Sequence, residues 1–253
     1  MTRFRAPLAL RPNPVVTVPD TAMVMAAGLG KRMRPLTATR PKPLVSVAGR
    51  TLLDRTLDHL REAGVTRAVV NVHYLADAIE AHLAARGKGL EILISDEREA
   101  LLETGGGVVR ALPLIDRDTF FVVNSDNLWI DGAVDTLKLI ADRWDDSTMD
   151  ALLLLVPYAR AACHRGPGDF HMDTTGRLRR RLHGRVAPFV YTGIQLVSRR
   201  LIVDPPADAF STNIFWDRAI AEGRLYGLVH PGLWFDVGTP QAVKQTELLL
   251  GQE

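Results

Sequence analysis

Short apolar runs alternate with amphipathic segments along the chain, and this alternation predicts strands separated by helices. Strands are expected where the runs are apolar and uninterrupted, at residues 21–27, 67–72, 90–94, 120–123, 151–156 and 226–229. Helices are expected where apolar residues recur every three or four positions, at residues 51–63, 75–85, 108–112, 131–144 and 212–222, with a last helix ending near Leu250. Such alternation is typical of an α/β fold with a doubly wound, mostly parallel, Rossmann-like sheet.

The stretch from about residue 166 to 198 departs from this alternation. It is rich in arginine and glycine, with a turn signal at Thr175-Gly176 and a second apolar run over residues 189–197. We expect a small antiparallel lid over about residues 157–200, inside a single domain that covers residues 21–253. Residues 1–20 are expected to form a disordered extension.

Composition restricts the classes of function. The formal net charge is only +2, from 31 basic and 29 acidic residues, so no surface for nucleic acid or membrane is indicated. No apolar run approaches the roughly 20 residues of a spanning helix. The single cysteine, Cys163, excludes an internal disulfide, and we expect a cytoplasmic protein, monomeric or homodimeric.

A glycine-containing loop follows the first expected strand. Residues 26–35 read Ala-Ala-Gly-Leu-Gly-Lys-Arg-Met-Arg-Pro, with basic side chains among the glycines. Glycines let backbone N–H groups approach a phosphate. The loop is not a Walker A motif, and Met33 stands where a dinucleotide fingerprint needs its third glycine. An ordinary strand-to-helix turn with solvated basic residues is the alternative.

The segment Pro41-Lys42-Pro43-Leu44 follows within a dozen residues. Two prolines restrict the backbone around Lys42, which suits a charge held toward a phosphate. Together with residues 26–37, this segment resembles the sugar-1-phosphate nucleotidyltransferase family, over about residues 22–250. The resemblance implies that a nucleoside triphosphate joins a sugar 1-phosphate and that pyrophosphate leaves. It also implies nucleotide binding by Ala27, Gly28, Leu29, Gly30, Lys42 and Gly105, with Arg32 and Lys42 as catalytic residues.

Two aspartates stand after expected strands, Asp126 in Asn-Ser-Asp-Asn and Asp236 in Trp-Phe-Asp-Val-Gly-Thr. Taken alone, each is also consistent with a turn. The resemblance implies that both bind Mg²⁺, the expected cofactor, which prefers few carboxylates together with water and phosphate oxygens. The residue before the first aspartate is commonly glycine in the family, and here it is Ser125.

The segment Leu102-Glu103-Thr104-Gly105-Gly106-Gly107 is expected to be a loop that leads into the helix at residues 108–112. With Gly168-Asp169-Phe170 and Tyr191-Thr192-Gly193, it most resembles the N-acetylmuramate-1-phosphate uridylyltransferases within the family. That resemblance favours UTP and N-acetylmuramate 1-phosphate as substrates. The residues it implies on the sugar side are Glu103, Thr104, Asn124, Asp169 and Thr192.

Several alternatives remain open. Guanylyl transfer to mannose 1-phosphate, uridylyl or thymidylyl transfer to glucose 1-phosphate, and a non-catalytic paralogue that senses sugar nucleotides are all compatible with the resemblance. A glycosyltransferase is disfavoured because no Asp-x-Asp follows the strand before Asp126. The Glu-Lys-Pro motif that holds the sugar phosphate in many relatives is absent. One of the arginines at 177, 179, 180, 181 and 185 is a candidate replacement, although an arginine run is more typical of a solvated face. His164 lacks zinc-like spacing with Cys163, and only a structural or surface role is expected for it.

Overall fold

The computed structural model describes residues 16–86 and 89–251. Residues 1–15 of the expected extension lie outside the described residues. Val18 already packs against the core, and the carbonyl of Asp20 accepts hydrogen bonds from the N–H groups of Thr66 and Arg67. The folded part therefore begins before Thr21, and the expected boundary at residue 20 is too late.

Fourteen strands and six α-helices form the described part of the chain. The strands are β1 Thr21–Met25, β2 Ser46–Val47, β3 Arg50–Thr51, β4 Arg67–Val72, β5 Glu91–Asp96, β6 Thr119–Asn124, β7 Leu128–Ile130, β8 Ala151–Pro157, β9 Ala161–Ala162, β10 Phe170–Met172, β11 Leu178–Arg180, β12 Phe189–Ser198, β13 Leu225–Val229 and β14 Leu233–Phe235. The helices are α1 Leu52–Ala63, α2 Ala76–Ala85, α3 Glu103–Ile115, α4 Thr136–Arg143, α5 Asn213–Ala221 and α6 Pro240–Leu250.

Nine strands form one mixed sheet in which β6, β1, β4 and β5 are adjacent and parallel. The long strand β12 pairs antiparallel with β6 on one side and with β8 on the other, and β13 adds in parallel to β8. Strands β7, β14 and β9 form a separate small sheet. Because parallel strands end at the same edge, the loops after β1 and β6 lie side by side.

Helices cover both faces of the sheet, which confirms the doubly wound α/β fold. The apolar stripes of α1, α2 and α4 pack on one face through Leu57, Ile79 and Ile140, which are all fully buried. Helices α3 and α5 pack on the other face through side chains such as Ile115 and Phe215. No described helix is long and apolar enough to cross a bilayer.

The antiparallel part is distributed differently from the expected lid. Strands β10 and β11 form the expected hairpin, with its turn around Gly176. The second expected strand, however, is β12, and it lies in the central sheet between β6 and β8. Its residues 190–198 are almost all buried, and an apolar run of that length is stable only inside a sheet. The function of the hairpin as a lid stays a prediction.

Two helices begin at residues that the sequence pattern did not indicate. Helix α4 starts at Thr136 rather than near 131, because the Asp135 side chain accepts a hydrogen bond from the Lys138 N–H and caps it. Helix α3 starts at Glu103, so the expected glycine loop is its first turn. The Phe210 carbonyl accepts hydrogen bonds from the N–H groups of Gly105 and Gly106, at 2.8 and 3.2 Å. This distant carbonyl caps α3, and residue spacing alone could not reveal it.

Candidate active site

The carboxyl ends of β1 and β6 bring the glycine loop and the first aspartate together. Met25 at the end of β1 is in register with Asn124 at the end of β6. Ser125 donates both its hydroxyl, at 2.7 Å, and its N–H, at 3.2 Å, to the Met25 carbonyl. The serine at this position therefore ties the two loops together, and Asp126 follows it at the edge of the sheet.

Two glycines of the loop have different surroundings: Gly30 is closely packed, whereas the space around Gly28 is empty. Gly30 has a φ of +60°, and a Cβ there would lie 3.0 Å from the Thr37 methyl and 3.1 Å from the Lys42 Cβ. Gly28 is exposed, and a Cβ there would meet nothing within 4 Å. The open backbone at Gly28 is thus available to a ligand, while Gly30 lets the chain fold over the stem of Lys42.

A buried pair that the sequence pattern did not reveal supports this loop from below. Asn71, on β4, accepts hydrogen bonds from the N–H groups of Ala26 at 2.6 Å and Ala27 at 3.3 Å. Its amide nitrogen donates to Glu97 at 2.7 Å. Glu97 is only 2% exposed, and this burial raises its pKa although the hydrogen bond from Asn71 acts against the rise. The sequence signal that could have revealed this pair is Asn71 itself, a polar residue inside the apolar run of β4.

Lys42, which the sequence predicts to hold a positive charge toward a phosphate, lines a cavity beside the glycine loop. It begins a short 3₁₀ turn after Pro41, and its stem is buried. Its ammonium lies 2.7 Å from Asp126 Oδ2. The same cavity, of about 220 Å³, is also lined by Gly28, Gly30 and Arg32. The two predicted catalytic residues and one predicted metal ligand therefore share one cavity.

The second aspartate approaches this cavity from the other side. Asp236 follows β14, and its Oδ2 lies 3.1 Å from His164 Nδ1. Burial acts to raise the pKa of Asp236, but the hydrogen bond from His164 and the charges of His164, Lys42 and Arg32 outweigh it, so the pKa is lowered. Asp236 is thus a stable carboxylate beside two cations.

His164 therefore contacts a predicted site residue, although its spacing in the sequence indicated only a structural or surface role. Its Nε2 is buried and has no hydrogen-bond partner within residues 16–86 and 89–251. Its ring is perpendicular to the ring of Tyr158 and tilted against that of Trp234. Only the folded chain brings His164 and Asp236 within contact, because 72 residues separate them.

Neighbouring cavities join into one groove. A cavity of about 210 Å³ shares Gly28 and Asp126 with the first and extends to Asn71, Glu103, Thr104 and Asn124. On the other side, a cavity of about 670 Å³ shares Arg32 and Gly238 and contains Asp236. The groove brings together most of the predicted site residues, namely Ala27, Gly28, Gly30, Arg32, Lys42, Glu103, Thr104, Asn124, Asp126 and Asp236.

Four predicted residues do not lie in these cavities. The N–H of Gly105 is bound to Phe210, so a nucleotide contact through that group is not supported. Thr192 is fully buried and donates its hydroxyl to the Leu154 carbonyl at 2.9 Å, so its predicted sugar contact is not supported either. Asp169 accepts a hydrogen bond from the Tyr191 N–H, which ties the hairpin to β12. Leu29 is half-buried between the two loop glycines.

The arginines of the hairpin are largely engaged inside the protein. Arg180 pairs with Asp217, Arg181 donates to three backbone carbonyls, and Arg177 donates to the Tyr226 hydroxyl. The hypothesis that one arginine replaces the missing lysine of the Glu-Lys-Pro motif stays untested.

Comparison with known proteins agrees with this geometry. The nucleotidyl transferase family matches residues 21–163. The chain is 45% identical, over 92% of its length and 98% of the relative, to the N-acetylmuramate α-1-phosphate uridylyltransferase of Caulobacter vibrioides. It is 34% identical to the enzyme of that name from Neisseria meningitidis serogroup B, over 91% of the chain and 98% of the relative.

Among solved structures, UDP-glucose pyrophosphorylase from Acinetobacter baumanii superposes with a TM-score of 0.74 at 15% identity, covering 92% of this chain and 93% of the other. At that identity the likeness concerns the fold alone. Identity over nearly the whole length of the two uridylyltransferases goes further, and it agrees with a groove that holds the predicted phosphate loop, lysine and aspartates. The chain therefore belongs to the nucleotidyl transferase family and is a sugar-1-phosphate nucleotidyltransferase.

Proposed function

We propose that this enzyme joins UTP to N-acetylmuramate α-1-phosphate and releases pyrophosphate. The observation that carries the chemistry is the convergence of Lys42, Arg32 and two carboxylates on one open groove. The choice of substrates follows the two relatives that align over nearly their whole length. We place the reaction in the cytoplasm, in the recycling of peptidoglycan.

A phosphate oxygen of the sugar 1-phosphate attacks the α-phosphorus of the triphosphate in line with the leaving pyrophosphate. The nucleophile is already anionic, so no general base is required, and catalysis consists of positioning and charge neutralisation. Lys42 neutralises the reacting phosphates. In the absence of substrate its ammonium pairs with Asp126, which keeps this buried charge compensated until phosphate arrives.

Arg32 binds the departing pyrophosphate. Arg32 is exposed, and it lines both the cavity that contains Lys42 and the larger cavity that contains Asp236. The open backbone at Gly28 receives the triphosphate, and Glu103, Thr104 and Asn124 face the nucleoside and the sugar. A planar guanidinium suits this position because it can hold two phosphate oxygens at once.

The residues present fit Mg²⁺, which we propose as the cofactor. Asp126 and Asp236 would hold it. Within the described part of the chain no cluster of three His, Cys, Asp or Glu side chains forms a complete metal cage. Mg²⁺ does not need one, because it retains water and takes phosphate oxygens. When bound, the ion would add positive charge beside the phosphate oxygens, which carry the negative charge of the transition state.

The test is pyrophosphate release from purified protein. Each nucleoside triphosphate is supplied in turn with Mg²⁺ and with N-acetylmuramate, N-acetylglucosamine, glucose or mannose 1-phosphate. Release that is fastest with UTP and N-acetylmuramate 1-phosphate is the expected result. Fastest release with GTP and mannose 1-phosphate would replace the proposed substrates and keep the mechanism. No release from protein that binds nucleotide would indicate the regulatory paralogue instead.

A further inference from the structure

A separate small cavity opens beside the groove, behind Asn124 and Thr104. It has a volume of about 180 Å³ and shares Met25, Thr104 and Asn124 with the cavity that contains Asp126 and Gly28. Its far side is formed by β12 and by the first turn of α5. The cavity is therefore a side chamber that adjoins the candidate active site.

Gln195 is the polar residue at the back of this chamber. It lies on the central strand β12, opposite Val122 of β6 and Leu153 of β8, and it is only 3% exposed. An amide in an otherwise apolar central strand costs free energy unless its polar atoms find partners. Its position in the core therefore points to a partner for each end of the amide.

The orientation of the Gln195 amide is fixed by Trp216. Trp216 Nε1 lies 3.0 Å from Gln195 Oε1, and an indole nitrogen can only donate. The oxygen of the amide is therefore occupied, and its NH₂ group remains as a donor beside the chamber. Within residues 16–86 and 89–251, the Gln195 side chain makes its hydrogen bond through the oxygen, and none is seen from the NH₂ group.

A second amide at the mouth of the chamber is oriented in the same way. Asn213 Oδ1 accepts a hydrogen bond from Arg180 at 3.0 Å, and a guanidinium can only donate. The NH₂ group of Asn213 is thus the end of the amide left for other partners. Both amides therefore offer donors, which suits a ligand group that accepts hydrogen bonds.

The chamber is uncharged. Among the described residues, Tyr191 is the only titratable one in its lining. Burial, together with the charges of Asp126 and Asp169, raises the pKa of that phenol, so it stays neutral. The lining otherwise combines neutral polar side chains, such as Thr104 and Asn124, with an apolar part formed by Met25, Val122 and the Trp216 ring. A neutral acceptor with a small apolar end fits this lining better than a carboxylate, which would need a cation when buried.

We propose that this chamber receives the 2-acetamido group of the sugar 1-phosphate and that Gln195 selects for it by donating to the acetamido carbonyl. The inference rests on the proposed function, because it places the sugar phosphate at Asp126. C2 of a pyranose is adjacent to the anomeric carbon, and Asn124, two residues before Asp126, borders both cavities. The methyl of the acetamido group would lie against Met25 and Trp216.

The experiment compares three UTP-dependent reactions in wild type, Gln195→Leu and Gln195→Glu. The acceptors are N-acetylmuramate, N-acetylglucosamine and glucose 1-phosphate. Gln195→Glu keeps the size of the side chain and an acceptor for Trp216, and it replaces the donor by an oxygen. We expect kcat/KM for both acetamido sugars to fall roughly 5- to 150-fold in each variant, the range for one hydrogen bond to a buried group. For glucose 1-phosphate it should change less than about 3-fold, within the spread of such contributions.

Gln245→Leu, an exposed glutamine on α6, is the matched control and should leave all three reactions unchanged. Equal losses for glucose 1-phosphate would overturn the inference and make Gln195 a structural residue. Loss with N-acetylmuramate 1-phosphate alone would also overturn it, since the chamber would then receive the lactyl ether. Binding of UDP-N-acetylglucosamine and UDP-glucose, measured by calorimetry, repeats the comparison without turnover.

The two hypotheses fail in different ways. Suppose that wild type prefers N-acetylglucosamine 1-phosphate to N-acetylmuramate 1-phosphate, and that the Gln195 variants no longer prefer N-acetylglucosamine 1-phosphate to glucose 1-phosphate. The proposed substrate would then be wrong, and the assignment of the chamber to the acetamido group would stand. If wild type uses N-acetylmuramate 1-phosphate and the variants lose all acceptors equally, the proposed substrate stands and the chamber is wrong. A wild-type preference for sugars without an acetamido group would overturn both.

Discussion

Two glycines near the groove show how the same residue type serves different purposes. Gly193 has a φ of +83°, and a Cβ there would lie 2.2 Å from Asn127 Nδ2. The fold itself therefore requires glycine at this position. Gly28 has neither constraint, since the surrounding space is open. A side chain at this position would affect only a ligand that enters the groove. A substitution of Gly28 can therefore test ligand binding without changing the stability of the fold.

Gly28→Ala should keep the folded structure and weaken nucleotide binding, because the added methyl occupies the space that a triphosphate would approach. The KM for UTP should rise, while the thermal midpoint changes by no more than the few degrees typical of about 1 kcal/mol. Gly193→Ala is the contrasting variant and should unfold at a clearly lower temperature. An unchanged KM in folded Gly28→Ala would refute the assignment of this loop to phosphate.

Lys42→Ala should reduce turnover by roughly 100- to 1,000-fold, the loss of about 2.7–4 kcal/mol that follows removal of one transition-state contact. Among the described residues, the ammonium of Lys42 is the cation that pairs with Asp126. Lys244→Ala, an exposed lysine on α6, is the control and should retain full activity. Steady-state pyrophosphate release and circular dichroism measure activity and folding. Near-normal turnover in Lys42→Ala would remove Lys42 from the mechanism.

At the scale of elements, the groove depends on how the loop after β1 is tied to the neighbouring strand β4. The link is Asn71, whose side-chain oxygen accepts hydrogen bonds from two successive N–H groups of the loop. A short side chain that holds two backbone donors limits the conformations of the loop before any ligand binds. Pre-ordering of this kind lowers the entropy cost of binding.

Asn71→Ala should therefore affect both stability and binding. Two buried N–H groups would lose their acceptor, and we expect a loss of about 1–3 kcal/mol in the free energy of unfolding, with a higher KM for UTP. Thr51→Ala removes the N-cap of α1 and is the matched control. It should cost about 1 kcal/mol and leave the KM unchanged. If the two variants changed the KM equally, the effect would come from lowered stability and not from the loop.

At the scale of the whole molecule, one buried carboxyl links stability to pH. Burial raises the pKa of Glu97 in the folded protein, whereas in the unfolded chain the group keeps its ordinary value near 4.5. Below that pH both states are protonated and the group contributes nothing. As the pH rises, the unfolded chain releases its proton first, so folding loses stability until the pH exceeds the raised pKa.

Glu97→Gln should remove this pH dependence, because glutamine keeps an acceptor for Asn71 and does not ionise. We expect the stability of the variant relative to wild type to increase as the pH rises above about 4.5, until the raised pKa of Glu97 is passed. Urea midpoints across that range measure the difference. Burial lowers the pKa of His230, so this residue destabilises the folded state in acid. The effect is the same in the variant and in wild type, and it cancels in the difference between their stabilities. Parallel profiles would show that Glu97 is not a buried carboxyl with a raised pKa.

The sequence by itself determined most of the helices and strands, and it predicted the loop that we propose binds phosphate. Periodicity located β4, α1 and β8 nearly to the residue, because each has one buried face or is buried throughout. The paired motifs around Gly28 and Lys42 predicted the phosphate side of the groove. These features depend on residues close together in the chain, and such local patterns can be recognised without a fold.

Only the tertiary structure decided what depends on distant residues. His164 contacts Asp236, Asn71 holds Ala26, and the Phe210 carbonyl caps α3, each across many residues of chain. The same is true of β12, whose place between β6 and β8 gives Gln195 its position behind the groove and removes Thr192 from it. A hydrogen bond between distant residues leaves no periodic pattern in the sequence. Its two partners meet only because the order of strands in the sheet and the packing of loops against helix ends bring them together.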